Sequence, residues 1–242
     1  IIGTESISLS TGTEKNQTYA SAAAVNSKGI VPNNKYNRYN FTVRNTTTFL
    51  DDKMTLDFGA SYILQNDQNM TNQGTYNNPL VGAYLFPRSN DWSDISMYER
   101  YDAARKIYTQ YWPVGDEGMV MQNPYWIAYR NLRLNQKKRY MLSAQLSYDI
   151  TDWLNISGRV RVDNTHTKYE QKLYASSNLT ITEESTQGHY TISKPDETQT
   201  YADVLANINK RFNDFSLVAN VGASIVNNRY EDLSYRGPIR EK

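Results

Sequence analysis

The feature that most restricts the fold of this chain is a long alternation of apolar and polar residues. From Met54 to Gln65, every second residue is apolar or aromatic for about a dozen residues. Similar alternation recurs at residues 139–150, 153–163 and 215–225. Because successive side chains of a β-strand point to opposite faces, each stretch predicts a strand with one apolar and one polar face. Such strands exceed the roughly five or six residues usual in globular proteins.

Eight strands are predicted in all, with tight turns and long loops between them in strict alternation. The turns are short and polar, as at Asp51-Asp52-Lys53 and Asn213-Asp214, whereas 66–138 and 168–198 are long connections. An antiparallel up-and-down meander then carries all short turns at one end and all long loops at the other. This arrangement is typical of an outer-membrane β-barrel; a secreted β-sandwich is the alternative. The strands are predicted near residues 6–12, 18–26, 38–50, 53–65, 139–150, 153–167, 199–211 and 215–227.

Composition excludes several other classes of protein. No run approaches 18 apolar residues, so no transmembrane helix is predicted. The chain has no cysteine, which excludes disulfides and cysteine-bound metals, and its net charge of +1 gives no reason to expect nucleic acid as a partner. The mean hydropathy of −0.71 does not contradict a membrane barrel, because half of each barrel strand is polar.

The polar strand faces carry charged residues that a barrel would direct into its lumen. Charges are tolerated there, whereas Arg or Lys at mid-depth on the lipid face costs roughly 2–4 kcal/mol. They either hydrate and support the lumen or contact a plug or a passing solute. The residues predicted to face the lumen are Arg44, Asp57, Arg139, Arg159, Arg161 and Asp163.

The long segment 66–138 is expected to contain secondary structure of its own, because structureless loops of this length are uncommon. Ser93 is positioned to cap one short helix from Asp94 to Lys106. The segment is rich in aromatic and amide side chains, which can stack on sugar rings or grip peptides. Those residues can equally form the core of the loop. The candidate ligand contacts are Trp92, Trp112, Tyr125 and Trp126.

Evidence for catalysis is weak. The two histidines, His166 and His189, lie in predicted loops or at a strand end, and the adjacent acids Asp116 and Glu117 form no recognisable pair for acid–base chemistry. We therefore predict no enzyme activity, no catalytic or metal-binding residues and no cofactor.

Several runs resemble one known family and keep its order along the chain. They are Ser6 to Lys15, Tyr36 to Phe41, Asn123-Pro124-Tyr125-Trp126 and Leu146 to Leu154. The chain resembles the SusC/RagA family of TonB-dependent outer-membrane transporters of Bacteroidetes. The resemblance implies a barrel of roughly 22 strands around a plugged lumen. It also implies a SusD-like lipoprotein partner, contact with the lipid of the bacterial outer membrane, and uptake of oligosaccharides or peptides driven by the TonB complex.

Eight of roughly 22 strands correspond to a mid-barrel segment. We expect residues 1–242 to form part of a barrel domain, with the plug and the TonB-interacting segment outside this chain. The alternative function is a carbohydrate-binding or adhesive β-sheet module at the cell surface, without transport. The two functions differ in whether the apolar strand faces form one belt that faces lipid.

Overall fold

The computed structural model describes residues 1–114 and 121–240. Eight long strands form one antiparallel sheet, and a separate two-stranded hairpin, β5–β6, lies in the long segment between β4 and β7. Sheet neighbours follow chain order, so the predicted all-β meander is confirmed. The strands are β1 (Ile2–Gly12), β2 (Asn16–Lys28), β3 (Lys35–Phe49), β4 (Met54–Gln68), β5 (Glu99–Asp102), β6 (Ile107–Gln110), β7 (Asn131–Thr151), β8 (Leu154–Tyr174), β9 (Gly188–Phe212) and β10 (Phe215–Pro238).

The strands run further toward the long-loop end than the alternation indicates. β8 continues to Tyr174 and β9 begins at Gly188, so much of 168–198 is strand and only residues 175–187 connect the two. Alternation marks a strand only where its two faces meet different environments. Beyond the apolar zone both faces are polar, and the strand extensions therefore carry no alternating signal.

The apolar strand faces form a continuous surface, here called the apolar belt, across the eight-stranded sheet. Its side chains are exposed: Phe58 is 42% and Val160 is 50% accessible. A β-sandwich would bury this face under a second sheet, and no such sheet covers it within the described ranges. The strand register aligns Leu9 with Ala20, Val43 with Ala60, Ala60 with Leu142, Leu142 with Val162, Val160 with Ala202 and Val204 with Ala223.

The height and the borders of the belt suit a bilayer. The belt on β7 runs from Tyr140 to Ile150, about 33 Å along the strand, or about 25 Å along the normal at a tilt near 40°. Tyr62 and Tyr140 are cross-strand partners at its upper edge. At the turn end, Lys210 Nζ lies 4.4 Å from the centre of the Trp153 ring. Aromatic residues at both edges are typical of membrane interfaces.

The predicted helix from Asp94 to Lys106 is wrong. A 3-10 helix covers only Trp92–Ser96, capped by Asp91, and the chain then enters the β5–β6 hairpin. Asp102 Oδ1 accepts hydrogen bonds from the backbone N–H groups of Ala104 and Arg105, which closes the hairpin turn instead of extending a helix.

Two α-helices that the sequence analysis missed lie in the same long segment. They are α1 (Pro79–Leu85) and α2 (Pro124–Arg130), and each begins with Asn-Pro. Asn78 and Asn123 accept a hydrogen bond from the second following N–H, and proline has the right φ for the first helical position. No helix in the described residues is long and apolar enough to cross a membrane.

The buried core of the chain lies at the long-loop end rather than within the sheet. Residues 69–114, 121–130 and 175–187 pack together there into a unit that we call the cap. α1 approaches α2 closely, since a Cβ on Gly82 would lie 2.7 Å from the carbonyl oxygen of Gln122. The largest fully buried side chains are Trp126, Ile95, Asn123 and Thr182.

Candidate functional site

Trp126 joins the two long connections of the chain. Its indole is fully buried, and Nε1 donates a hydrogen bond of 3.0 Å to Ser177 Oγ. Ser177 Oγ in turn donates to Asn131 Oδ1 at 2.7 Å. This buried chain of contacts links α2, the 175–187 connection and the start of β7. The two connections therefore form one folded unit at the long-loop end of the sheet.

Asn123 ties three further parts of the cap together. Its Nδ2 donates to the carbonyl oxygens of Ile95 and Tyr111, each at 2.9 Å, and its Oδ1 accepts from the N–H of Tyr125. The side chain is fully buried and its amide atoms are all used. A buried amide with every group paired fixes the relative positions of its partners.

An ion pair anchors the β5–β6 hairpin to α2. Arg130 Nε and Nη2 donate to Glu99 at 2.6 and 2.8 Å, a bidentate pair in which both side chains are largely shielded. The hydrogen bonds from Arg130 to Glu99 raise the pKa of Arg130. Next to this pair, the Tyr98 ring stacks on Tyr129 with centres 5.5 Å apart, and burial raises the pKa of Tyr98.

Replacing Glu99 by glutamine is expected to loosen this hairpin. The change keeps the shape of the side chain but removes the negative charge that pairs with the partly buried guanidinium of Arg130. We expect the free energy that holds the hairpin in place to fall by about 1–3 kcal/mol. Hydrogen exchange at residues 99–110 should become faster, while exchange in β7 and β8 stays unchanged. Glu184→Gln makes the same chemical change at an exposed position and serves as the control. Equal exchange in the two variants would contradict the anchoring role.

The structure separates the four predicted ligand contacts into three residues that lie close together and one, Trp126, that lies elsewhere. Trp92 and Trp112 pack against Phe86, which the sequence analysis missed, and Tyr125 packs against Trp92; we call these four residues the aromatic cluster. Trp92 Nε1 donates to Tyr125 Oη at 3.2 Å, and 40% of Trp92 is exposed. Trp126 is not in the cluster but in the cap core, so it presents no surface to a ligand. The ring centres lie 5.2 Å apart for Phe86–Trp92, 6.2 Å for Phe86–Trp112 and 6.3 Å for Trp92–Tyr125.

The predicted lumen residues share the face opposite the apolar belt and are mostly ion-paired. Five of the six line one groove of about 480 Å³ in this face, together with Gln145 and Tyr201, and Arg139 lies next to it. The partner Asp203 was missed, although it stands directly opposite Arg159 in the register. The pairs are Arg44–Asp57 at 2.6 and 3.1 Å, Arg139–Asp163 at 2.8 Å through Nε, and Arg159–Asp203 at 2.6 and 2.8 Å.

Within residues 1–114 and 121–240, the remaining titratable groups do not converge on a reactive site. His166 Nδ1 lies 3.3 Å from Asp196, and His189 is buried with Nε2 3.4 Å from Glu183. Within the described residues, no group of three or more His, Asp or Glu side chains is arranged to hold a metal ion. Asp116 and Glu117 lie outside the described residues.

Comparison with known proteins gives matches in structure but not in sequence. No family model and no curated protein matches the chain. A structure of the RagAB peptide transporter superposes with a TM-score of 0.71 at 14% identity, over 98% of this chain and 26% of that one. The RagAB peptide importer in the open-open state gives 0.67 at 14% identity, over 97% and 25%. The ferric-catecholate import receptor Fiu from K12 E. coli gives 0.52 at 10% identity, over 95% and 30%.

The fold is that of a transporter barrel segment. The fold predicted from the resemblance to TonB-dependent transporters is thereby confirmed. The chain spans about a quarter of the length of the RagAB chains that it matches. The sheet therefore has one ion-paired face and one exposed apolar face, with the cap at its long-loop end.

Proposed function

We propose that this chain forms part of the wall and mouth of a TonB-dependent transporter in a bacterial outer membrane, which imports nutrient oligomers. The observation that carries the proposal is the exposed apolar belt, about 25 Å high, backed by a face of paired charges. A sheet in water would leave this apolar face unprotected. The same sheet is stable when one face meets lipid and the other a wet lumen.

In the proposed mechanism the chain captures and guides a solute and performs no chemical reaction. The aromatic cluster lies in the cap, where a ligand arriving from outside first meets the barrel. Paired charges of the lumen wall hydrate the passage below it without leaving strongly charged patches. Passage follows rearrangement of a plug domain, powered through the TonB complex, and a SusD-like lipoprotein covers the outer side.

The transporter is expected to take peptides or oligosaccharides as substrate. Aromatic rings can stack on sugar rings and can also hold apolar peptide side chains. The surrounding amides can pair with either hydroxyl or backbone groups. RagAB, whose barrel this chain resembles in fold, is a peptide importer, which favours testing peptides first.

A labelling experiment tests the membrane orientation of the sheet. Residues 1–242 contain no cysteine, so each introduced cysteine is the single label site within this part of the protein. Leu142→Cys and Ser143→Cys, spin-labelled in the full-length protein in membranes, should differ: oxygen dissolved in lipid reaches position 142, and a water-soluble nickel complex reaches 143. Contact of both labels with water would favour the surface module, whereas a label at 142 that neither reagent reaches, with 143 in water, would favour a sandwich.

An uptake experiment tests the cap as the ligand site. Trp92→Ala is expected to reduce uptake at low substrate concentration about tenfold, since a stacked aromatic contact contributes about 1–2 kcal/mol. Cells that carry the full-length variant are supplied with labelled peptide or oligosaccharide mixtures, and the class whose uptake falls identifies the substrate. Tyr108→Ala removes an exposed cap aromatic outside the cluster and is the control. Equal uptake in the two variants would contradict the assignment.

A further inference from the structure

Three lysines stand on the outward face just above the apolar belt, and a fourth, Lys172, lies farther along the same face. Lys138 follows the belt on β7, two positions before Tyr140 and on the same face. Lys168 and Lys172 lie on β8, and Lys194 on β9, each at an even-numbered position like the belt residues of these strands. We call these four residues the lysine patch. The patch continues the lipid-facing side of the sheet into the zone of the lipid headgroups.

Two lysines of the patch stand directly opposite each other. The register pairs His166 with Asp196 and Tyr169 with Ser193, which places Lys168 across from Lys194. Like charges directly opposite on neighbouring strands are destabilising. Lys138, which pairs with His166, is the diagonal neighbour of Lys168, at a Cα distance of about 7–8 Å. Three ammonium groups thus share one small area of the sheet.

The acidic residues nearby leave part of this positive charge uncompensated. Glu170 lies 3.8 Å from Lys168 and 3.2 Å from Lys172, and it also accepts from Tyr190 Oη at 3.0 Å. One carboxylate therefore interacts with two lysines and a tyrosine. Asp196 is engaged by Asn164 and His166.

The other two lysines of the patch are exposed to solvent. Within residues 1–114 and 121–240, neither Lys138 nor Lys194 forms an ion pair. Their charges are therefore available to an external anion.

We propose that the lysine patch binds the phosphate-bearing headgroup of a membrane lipid, an inference that rests on the proposed function. Two observations select this occupant. The patch is contiguous with the lipid-facing belt, so the acyl chains of a bound lipid would lie against Tyr140, Leu142 and their neighbours. Its excess positive charge matches an anionic headgroup and would be neutralised by it.

The binding test uses dihexanoyl phosphatidic acid, a soluble lipid with a phosphate headgroup. It is titrated by calorimetry into the full-length protein in neutral detergent, with dihexanoyl phosphatidylcholine as the zwitterionic comparison. Lys168→Gln with Lys194→Gln should weaken phosphatidic acid binding at least about tenfold. The matched control, Lys106→Gln with Lys137→Gln, removes the same charge from the cap hairpin and the lumen face, and should leave binding unchanged.

Thermal unfolding gives a second measurement, and it distinguishes loss of lipid binding from a general loss of stability. In phosphatidylcholine vesicles the Lys168/Lys194 double variant should melt at the same or a higher temperature than the parent, because the repulsion is gone. In vesicles containing phosphatidic acid the parent should gain stability and the variant should gain much less. High salt should reduce the difference, since the Debye length falls to about 3 Å at 1 M.

Equal phosphatidic acid binding by parent, patch variant and control would overturn the proposal. A change in oligomeric state of the patch variant, with lipid binding unaltered, would also overturn it, because the patch would then contact a second protein. Neither result would affect the proposed transport function, which is tested separately by the labels at 142 and 143.

Discussion

Trp126→Ala is expected to detach the cap from the barrel wall. The indole is fully buried and its Nε1 holds Ser177, so the variant creates a large cavity and leaves a buried hydroxyl with one partner fewer. Removal of a buried tryptophan costs about 3–5 kcal/mol. Local opening of the cap should become at least about a hundredfold more frequent, and backbone hydrogen exchange at residues 123–131 and 175–187 should accelerate accordingly.

The effect should be confined to the cap. The sheet is held by its own ladder of backbone hydrogen bonds, so exchange in the belt region of β4, β7 and β8 is expected to stay slow. Trp92→Ala deletes the same side chain from a position that is 40% exposed, and it should accelerate exchange far less. Similar acceleration in the two variants would show that the cap is not organised around Trp126.

Leu146→Arg is expected to impair insertion of the barrel into the membrane. Leu146 lies near the middle of the belt, 42% exposed and flanked in the register by Leu56 and Gly158. An arginine at mid-depth on the lipid face costs roughly 2–4 kcal/mol. The measurement is denaturant unfolding of the full-length protein in lipid vesicles, together with the amount of folded protein in the outer membrane.

Gln145→Arg is the matched control, one residue away and on the lumen face. It lies in the groove beside Asp57 and Arg159, where water and carboxylates are near, and it should cost less than about 1 kcal/mol. If the two arginines destabilise the protein equally, the assignment of the belt to lipid is wrong. The difference in stability between the two variants shows whether the cost of an arginine depends on the face of the sheet or whether a charge is unfavourable at any position in this strand.

Local alternation predicts which face a residue occupies wherever the two faces of a strand meet different environments. Arg44, Asp57 and Arg159 alternate with apolar residues, and in the structure all three line one groove on the face opposite the apolar belt. Alternation also places Asp203 on this face, between Ala202 and Val204, but its pairing with Arg159 depends on the register between two strands. A register between strands is a property of the folded sheet rather than of one segment.

The cap shows the limit of local patterns most clearly. The run from Asp94 to Lys106 has helical spacing, yet Asp102 turns the chain into a hairpin through its own backbone contacts. Conversely, Asn78-Pro79 and Asn123-Pro124 are helix-start signals that could have located α1 and α2. The role of Trp126 had no local signal, because its partner Ser177 is 51 residues away.

The meander, the order of its strands and the two faces of the sheet could be predicted from local patterns in the chain. In a strand whose two faces meet lipid and water, apolar and polar residues must alternate. In a meander, each strand pairs with the next one in the chain. Both properties can therefore be recognised from short segments of sequence. The tertiary structure alone decided which loop residues are core and which are exposed. That choice depends on buried contacts between distant segments, such as Trp126 with Ser177 and Asn131 with Asn77, and such contacts leave no periodic trace in the chain.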